Sequence, residues 1–189
     1  MRRGEHGGDW AAYQIQYHGM PLDFSANVSP MGIPAGVKRA LYQAVEEVNR
    51  YPDPLCRQLR ACLGRHHDVS SAQILCGNGA SDLIDRLVLA LRPKRGMVTA
   101  PAFSEYGQAL RRVGGQVEEF PLQRAEDFRM TARILERITP ALDILFLCEP
   151  SNPAGQTTDR ALLEKILERC DACGVLLVVD ECFEEFLLD

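Results

Sequence analysis

The chain has 189 residues and a net charge of −5, with 46% hydrophobic and 25% charged residues. That is enough for one domain with a sizeable core, in the composition range of ordinary globular proteins. The interspersed charges offer no basic face for nucleic acid. No apolar run approaches the roughly 20 residues of a membrane helix, and no apolar stretch follows Arg2-Arg3, so no signal peptide is expected.

The first 33 residues are rich in Gly, Pro, Asn and Ser and read as irregular. From Pro34, the spacing of Val37, Ala40, Leu41, Ala44, Val45 and Val48 predicts one apolar helical face. "YPDP" at 51–54 breaks the chain, and a second amphipathic segment runs from Leu55 to His67. Helical and strand patterns then alternate. "QILC" (73–76), "GMVTA" (96–100), "QVEEF" (116–120), "DILFLC" (143–148) and "VLLVVD" (175–180) read as strands. Between them lie the helical "DLIDRLVLAL", "GQALRRVG", "TARILERI" and "RALLEKILERCDAC". Asp159 is placed to cap the last of these and Gly174 to end it. The alternation predicts an α/β fold, a mostly parallel sheet covered by helices on both faces.

Seven cysteines, an odd number, several within apolar runs, fit buried reduced thiols better than a disulfide framework. Cys170-x-x-Cys173 lies late in a helical pattern with no second pair at zinc spacing, so no metal site is expected. His66-His67 closes a helical segment, where a solvated position near the negative end of the dipole suits it.

In parallel sheets, ligands bind beyond the carboxyl ends of the strands. The segments there are Gly77-Asn78-Gly79-Ala80-Ser81, Pro101-Ala102-Phe103, Pro150-Ser151-Asn152-Pro153 and Asp180-Glu181. The first is a glycine-bearing strand-to-helix turn suited to an anion. It is not a Walker A loop, and the dinucleotide pattern fails where Asp82 stands in place of a third glycine. A tight turn with a cap remains the alternative reading. Asp180 ends an otherwise apolar strand, so its carboxylate needs a cationic or hydrogen-bonding partner, such as a protonated heteroaromatic nitrogen. Asn152 can donate to a phenolate-type oxygen and Phe103 offers a flat face. Together these describe a pyridoxal phosphate pocket.

"GNGASDLI", "PAFSEY", "EPSNPAGQ" and "VVDECFEEF" resemble, in order and spacing, the fold-type-I pyridoxal-phosphate enzymes of the histidinol-phosphate aminotransferase branch. "HGG" at 6–8, "LDFSANVSPMGIP" from Leu22 and "RYPDP" from Arg50 narrow the resemblance to the threonine-phosphate decarboxylase family of cobalamin biosynthesis. The resemblance implies the aspartate aminotransferase fold. Residues 1–50 would form an N-terminal arm and helix on the substrate side, and 51–189 an incomplete cofactor-binding large domain. It implies a homodimer that acts on a small phosphorylated amino acid, with pyridoxal 5'-phosphate as cofactor; the reduced thiols fit a cytoplasmic protein. Ala80 and Ser81 would hold the cofactor phosphate. Phe103 would stack on the ring, with Tyr106 as a second candidate. Asn152 would bond the ring oxygen, Asp180 the ring nitrogen, and Tyr51 the phosphate across the dimer. His6 and Asn27 would contact substrate. The aminotransferases of the branch usually carry Tyr three residues after the Asp; Phe183 here leans toward the decarboxylases.

The resemblance also calls for a lysine that bonds the cofactor. The chain's lysines are Lys38, Lys94 and Lys165, and none matches the family's position, so no catalytic residue is assigned. The last two strands of the family's sheet and its C-terminal small domain would likewise lie beyond residue 189. These expectations describe the N-terminal part of a longer enzyme, inactive by itself. A histidinol-phosphate or related aminotransferase and a non-catalytic remnant are the alternatives.

Overall fold

A computed structural model describes residues 8–20 and 22–187, arranged as two compact units, Met1–Leu59 and Arg60–Asp189. The first unit holds helix α1 (Trp10–Tyr17) and helix α2 (Ala35–Val45). Helix α1 falls where an irregular segment is expected. Its sequence, WAAYQIQY, has no buried residue and so no clear apolar period. Its start is set instead by Asp9, whose Oδ1 accepts the Ala12 N–H at 3.0 Å. Asp23 adds a second tie: Oδ2 accepts from Trp10 Nε1 at 2.6 Å, and Oδ1 accepts from both the backbone N–H and the hydroxyl of Ser25. The Ser25 hydroxyl bond, then the Trp10 bond, hold the Asp23 carboxyl below its usual range. The predicted apolar face of α2 is present, and Val37, Leu41 and Val45 on it are exposed.

Helix α3 (Arg57–His66) opens on Asp53, which accepts the Leu55 and Arg57 N–H groups. The second unit is a four-stranded, all-parallel sheet in the order β2-β1-β3-β4, made of β1 (Arg95–Ala100), β2 (Gln116–Pro121), β3 (Ile144–Cys148) and β4 (Leu176–Asp180). Helices α4 (Ala80–Leu91) and α5 (Ser104–Arg112) cover one face. Helices α6 (Ile134–Arg137) and α7 (Arg160–Cys173) cover the other. Strand alternation divides the core between them. Val98, Ile144, Phe146 and Cys148 pack with Ile84, Val88, Tyr106, Ala109 and Leu110. Met97, Leu145 and Leu147 pack with Ile134, Ile138, Ile166 and Cys170. Every residue of β3 is buried, as its unbroken apolar run predicts for a central parallel strand.

The predicted strand at 73–76 does not form. Ser71–Gln73 is a short 3₁₀ turn with a Ser70–Gln73 capping box, and Ile74 is extended. Among the described residues no strand lies beside 74–76, and extended backbone without a ladder partner is not a strand. Helix α6 is shorter than "TARILERI" suggests; only four residues are helical and Ile138 leaves the helix in an extended conformation. Asp159 caps α7 by accepting the Leu162 N–H, and Gly174 ends it at φ +68°.

Candidate cofactor site at the strand ends

Cys148 and Asp180 are register partners at the carboxyl ends of β3 and β4. Alternation along β4 puts Asp180 on the same face as Val178, which packs against the α4/α5 cluster. There its Oδ2 accepts a 2.7 Å hydrogen bond from the Tyr106 hydroxyl, and its Oδ1 accepts the Cys182 N–H at 3.1 Å. Among the described residues, Asp180 forms no ion pair with Lys, Arg or His. Its negative charge is held by neutral donors and is not neutralised.

Tyr106 is the residue the motif reading ranked second for stacking. It is 1% exposed, and its ring stacks on Phe146 at 5.2 Å and 10°. A ring so buried and stacked has no face to give a cofactor. Its part is the hydroxyl, which sequence reasoning missed. The signal was available in the i, i+3 spacing of Phe103 and Tyr106, which turns both toward one side as α5 begins. Phe103 is half-buried beside it, edge to face at 5.6 Å and 81°. Burial, then the Asp180 carboxylate, push the Tyr106 phenol upward, so it stays a donor.

Two thiols complete the cluster. Burial raises the Cys148 thiol, opposed by a hydrogen bond from the Asn152 backbone, and the thiol donates to the Pro150 carbonyl at 3.2 Å. Cys182 is pushed up to about 12, first by burial and then by its hydrogen bond to Asp180. Both remain neutral thiols at ordinary pH. The backbone of Asn152 is thus brought to the end of β3. Its loop is closed by Ser151 N–H to Gln156 O at 2.8 Å and by Thr158 N–H to the Glu149 carboxylate at 2.7 Å.

The anion cradle is the first turn of α4. Gly79 precedes it at φ +82°, a conformation that favours glycine. Gly77 is required by close approach: a Cβ there would lie 2.8 Å from both Asp82 Oδ2 and Leu83 Cδ2. Asp82, where the dinucleotide pattern fails, is part of the turn, since its Oδ2 accepts the Asn78 N–H at 2.8 Å and its Oδ1 bonds Arg86. The Asn78 bond is the main cause of its lowered pKa. The N–H groups of Ala80 and Ser81 have no partner within the helix, and Ser81 is exposed. Ala80 and Phe103 pack on the same cluster as Tyr106.

The structure therefore brings Ala80, Ser81, Phe103, Asn152 and Asp180 to one end of the sheet. An anion cradle, an aromatic face and an unneutralised carboxylate fit a phosphorylated ring carrying a protonated nitrogen. Asn27 and Tyr51 belong to the first unit and are both exposed. His6 lies outside the described residues. Lys38, Lys94 and Lys165 are exposed on α2, before β1 and on α7. Among the described residues no cluster of His, Cys, Asp and Glu has metal-site geometry, and no helix is long and apolar enough to cross a membrane.

Comparison with known proteins gives the family and the fold. The aminotransferase class I and II family matches residues 20–189. A threonine-phosphate decarboxylase of Salmonella typhimurium is 43% identical over 88% of this chain and 46% of its own length. A histidinol-phosphate aminotransferase of Desulfitobacterium hafniense is 34% identical over 85% of this chain and 46% of its own. The chain spans about half the length of these relatives. A Thermus thermophilus aspartate aminotransferase variant superposes with a TM-score of 0.80 at 24% identity, covering 87% of this chain and 48% of that one, which shows a shared fold. The chain belongs to the aminotransferase class I and II family, whose members use pyridoxal phosphate.

Proposed function

We propose that this chain provides the cofactor-holding half of an enzyme that decarboxylates L-threonine O-3-phosphate to the aminopropanol phosphate used in cobalamin biosynthesis. The observation that carries this reading is the Asp180 carboxylate, held at a strand end by neutral donors with its charge left for a cationic ligand. When bound, pyridoxal phosphate supplies an electron-accepting ring. The chain's residues set its place and its charge. Ala80 and Ser81 hold the phosphate with the N–H groups of the first turn of α4. Phe103 covers one ring face. The Asn152 amide donates to the ring oxygen. Asp180 keeps the proton on the ring nitrogen, because its unneutralised charge favours the protonated form.

His6 and Asn27 would engage the substrate's phosphate and carboxylate, and Tyr51 would reach the cofactor phosphate across a cytoplasmic homodimer. In this reading residues 1–50 are the substrate-side arm, and 51–189 belong to the cofactor domain. Phe183 supports decarboxylation over amino transfer, because a phenyl ring cannot donate to the ring oxygen; it is half-buried and its ring lies 6.2 Å from Phe186. The resemblance of the N-terminal segments and the relative at 43% identity point the same way. The 189-residue chain would be inactive alone, since none of its three lysines follows the carboxyl end of a strand.

A chimera tests this reading. In it, this chain replaces the matching half of the Salmonella typhimurium decarboxylase. Carbon dioxide release from threonine phosphate is the expected result. Amino transfer to 2-oxoglutarate in its place would select the aminotransferase reading, which the relative at 34% identity favours.

A further inference from the structure

Asp180 could be a simple counter-charge, free to rotate at the end of β4. The structure shows otherwise. Each carboxylate oxygen has a donor, Tyr106 Oη on Oδ2 at 2.7 Å and the Cys182 N–H on Oδ1 at 3.1 Å. The second donor is backbone and comes with the turn after β4. The first comes from 74 residues away in sequence and is fixed by packing. The Tyr106 ring is 1% exposed, stacked on Phe146 and in edge contact with Phe103. A side chain so enclosed in the α4/α5 cluster cannot swing its hydroxyl elsewhere. Donors arriving at opposite oxygens set the carboxylate plane. Burial and the carboxylate itself keep the phenol protonated, so the donor persists across the working pH range.

We propose that Tyr106 is a positioning residue for the cofactor's ring nitrogen: a buried phenol that orients Asp180 so that the site prefers a ring carrying a protonated nitrogen over a neutral ring of the same shape. The inference rests on the cofactor reading above. It goes further by making ring-nitrogen selectivity depend on a residue that never touches the ring.

Two phosphorylated aldehydes separate the alternatives: pyridoxal phosphate and its analogue with CH in place of the ring nitrogen. Their dissociation constants would be measured on the 189-residue chain, on Tyr106→Phe and on Asp180→Asn by the absorbance of each ligand. The wild-type chain is expected to prefer pyridoxal phosphate, by about tenfold for a charge-assisted hydrogen bond. Asp180→Asn should abolish the preference. Tyr106→Phe should lower it severalfold while leaving affinity for the carbon analogue unchanged, a split that loss of packing would not produce. Equal preference in Tyr106→Phe and wild type overturns the positioning role while leaving the cofactor reading intact. No preference in the wild type removes the cofactor reading, and this inference with it. If Tyr106→Phe does not fold, 3-fluorotyrosine keeps both ring and donor. The buried fluorine is the resonance insensitive to a soluble paramagnet, since Tyr13, Tyr17, Tyr42 and Tyr51 are exposed. It should shift on adding pyridoxal phosphate and not inorganic phosphate; no shift overturns the proposal.

Discussion

Cys148 and Asp180 sit opposite each other at the last step of the β3–β4 ladder, and the Glu149 N–H continues the pairing onto the Asp180 carbonyl at 2.9 Å. This step joins the two loops that carry the proposed cofactor contacts. The backbone of Asp180 is committed to the sheet, so its side chain leaves the strand end in a defined direction. Asp180→Asn keeps the size and the Tyr106 bond but removes the charge. Pyridoxal phosphate affinity should fall about tenfold or more. The melting temperature should move little, since the residue is only half-buried. Equal affinity in the two chains would remove Asp180 from the site.

The turn before α4 has no room for a side chain at Gly77. In Gly77→Ala the new methyl would press on Asp82 Oδ2 and Leu83. Displacing Asp82 also frees the Asn78 N–H. The expected cost is about 1–3 kcal/mol, read by urea denaturation. Inorganic phosphate or pyridoxal phosphate binding should weaken in parallel if this turn is the cradle. A variant of wild-type stability would show that the turn relaxes freely.

Arg112 ties α5 to itself and to α4. It bonds the buried Glu105 at 2.9 Å and also pairs with Asp85 of α4. Arg112→Met keeps the aliphatic stem and removes both ion pairs. Half of the arginine side chain is solvent-exposed, which screens the interaction. Stability should drop by about 1 kcal/mol, and the difference from wild type should shrink as salt is raised. A deficit unchanged at high salt would point to packing as the cause.

Alkaline pH should destabilise the second unit through Cys170. Its thiol is 1% exposed and is pushed up to about 11, first by burial and then by Cys173. The folded state therefore holds this proton more tightly than the unfolded chain, where the thiol has its ordinary value of 9.0. The resulting stability is complete below pH about 9 and is lost as pH rises toward about 11. Denaturation midpoints measured under reducing conditions should fall across that window, and Cys170→Ala should fall less steeply from a lower starting point. Parallel slopes would assign the alkaline loss to other groups.

The helical and strand periods were legible wherever one residue pattern had one environment. The run "DILFLC" announced a strand buried on both faces, and Asp159 and Gly174 marked the ends of α7. The segment "QILC" misled, because strand-like composition says nothing about whether a partner lies alongside. Helix α1 was missed because an exposed helix held by the Asp9 cap and the Asp23 bonds needs no apolar stripe.

The same division runs through the site. Residue types at the strand ends were enough to nominate Phe103, Asn152 and Asp180, since parallel sheets gather these segments at one end by construction; Ala80 and Ser81 were nominated behind a strand at 73–76 that does not form, and packing of Ala80 on the Tyr106 cluster brings them there instead. Sequence also established that Asp180 needed a partner, because a carboxylate closing an apolar strand cannot stand without one. Only the tertiary structure named that partner. The strand order β2-β1-β3-β4 carries α5 over the face where Asp180 emerges, and packing against Phe146 turns the Tyr106 hydroxyl onto it. Hydrogen bonds between residues 74 positions apart depend on strand order and side-chain packing, and neither is written in local periodicity.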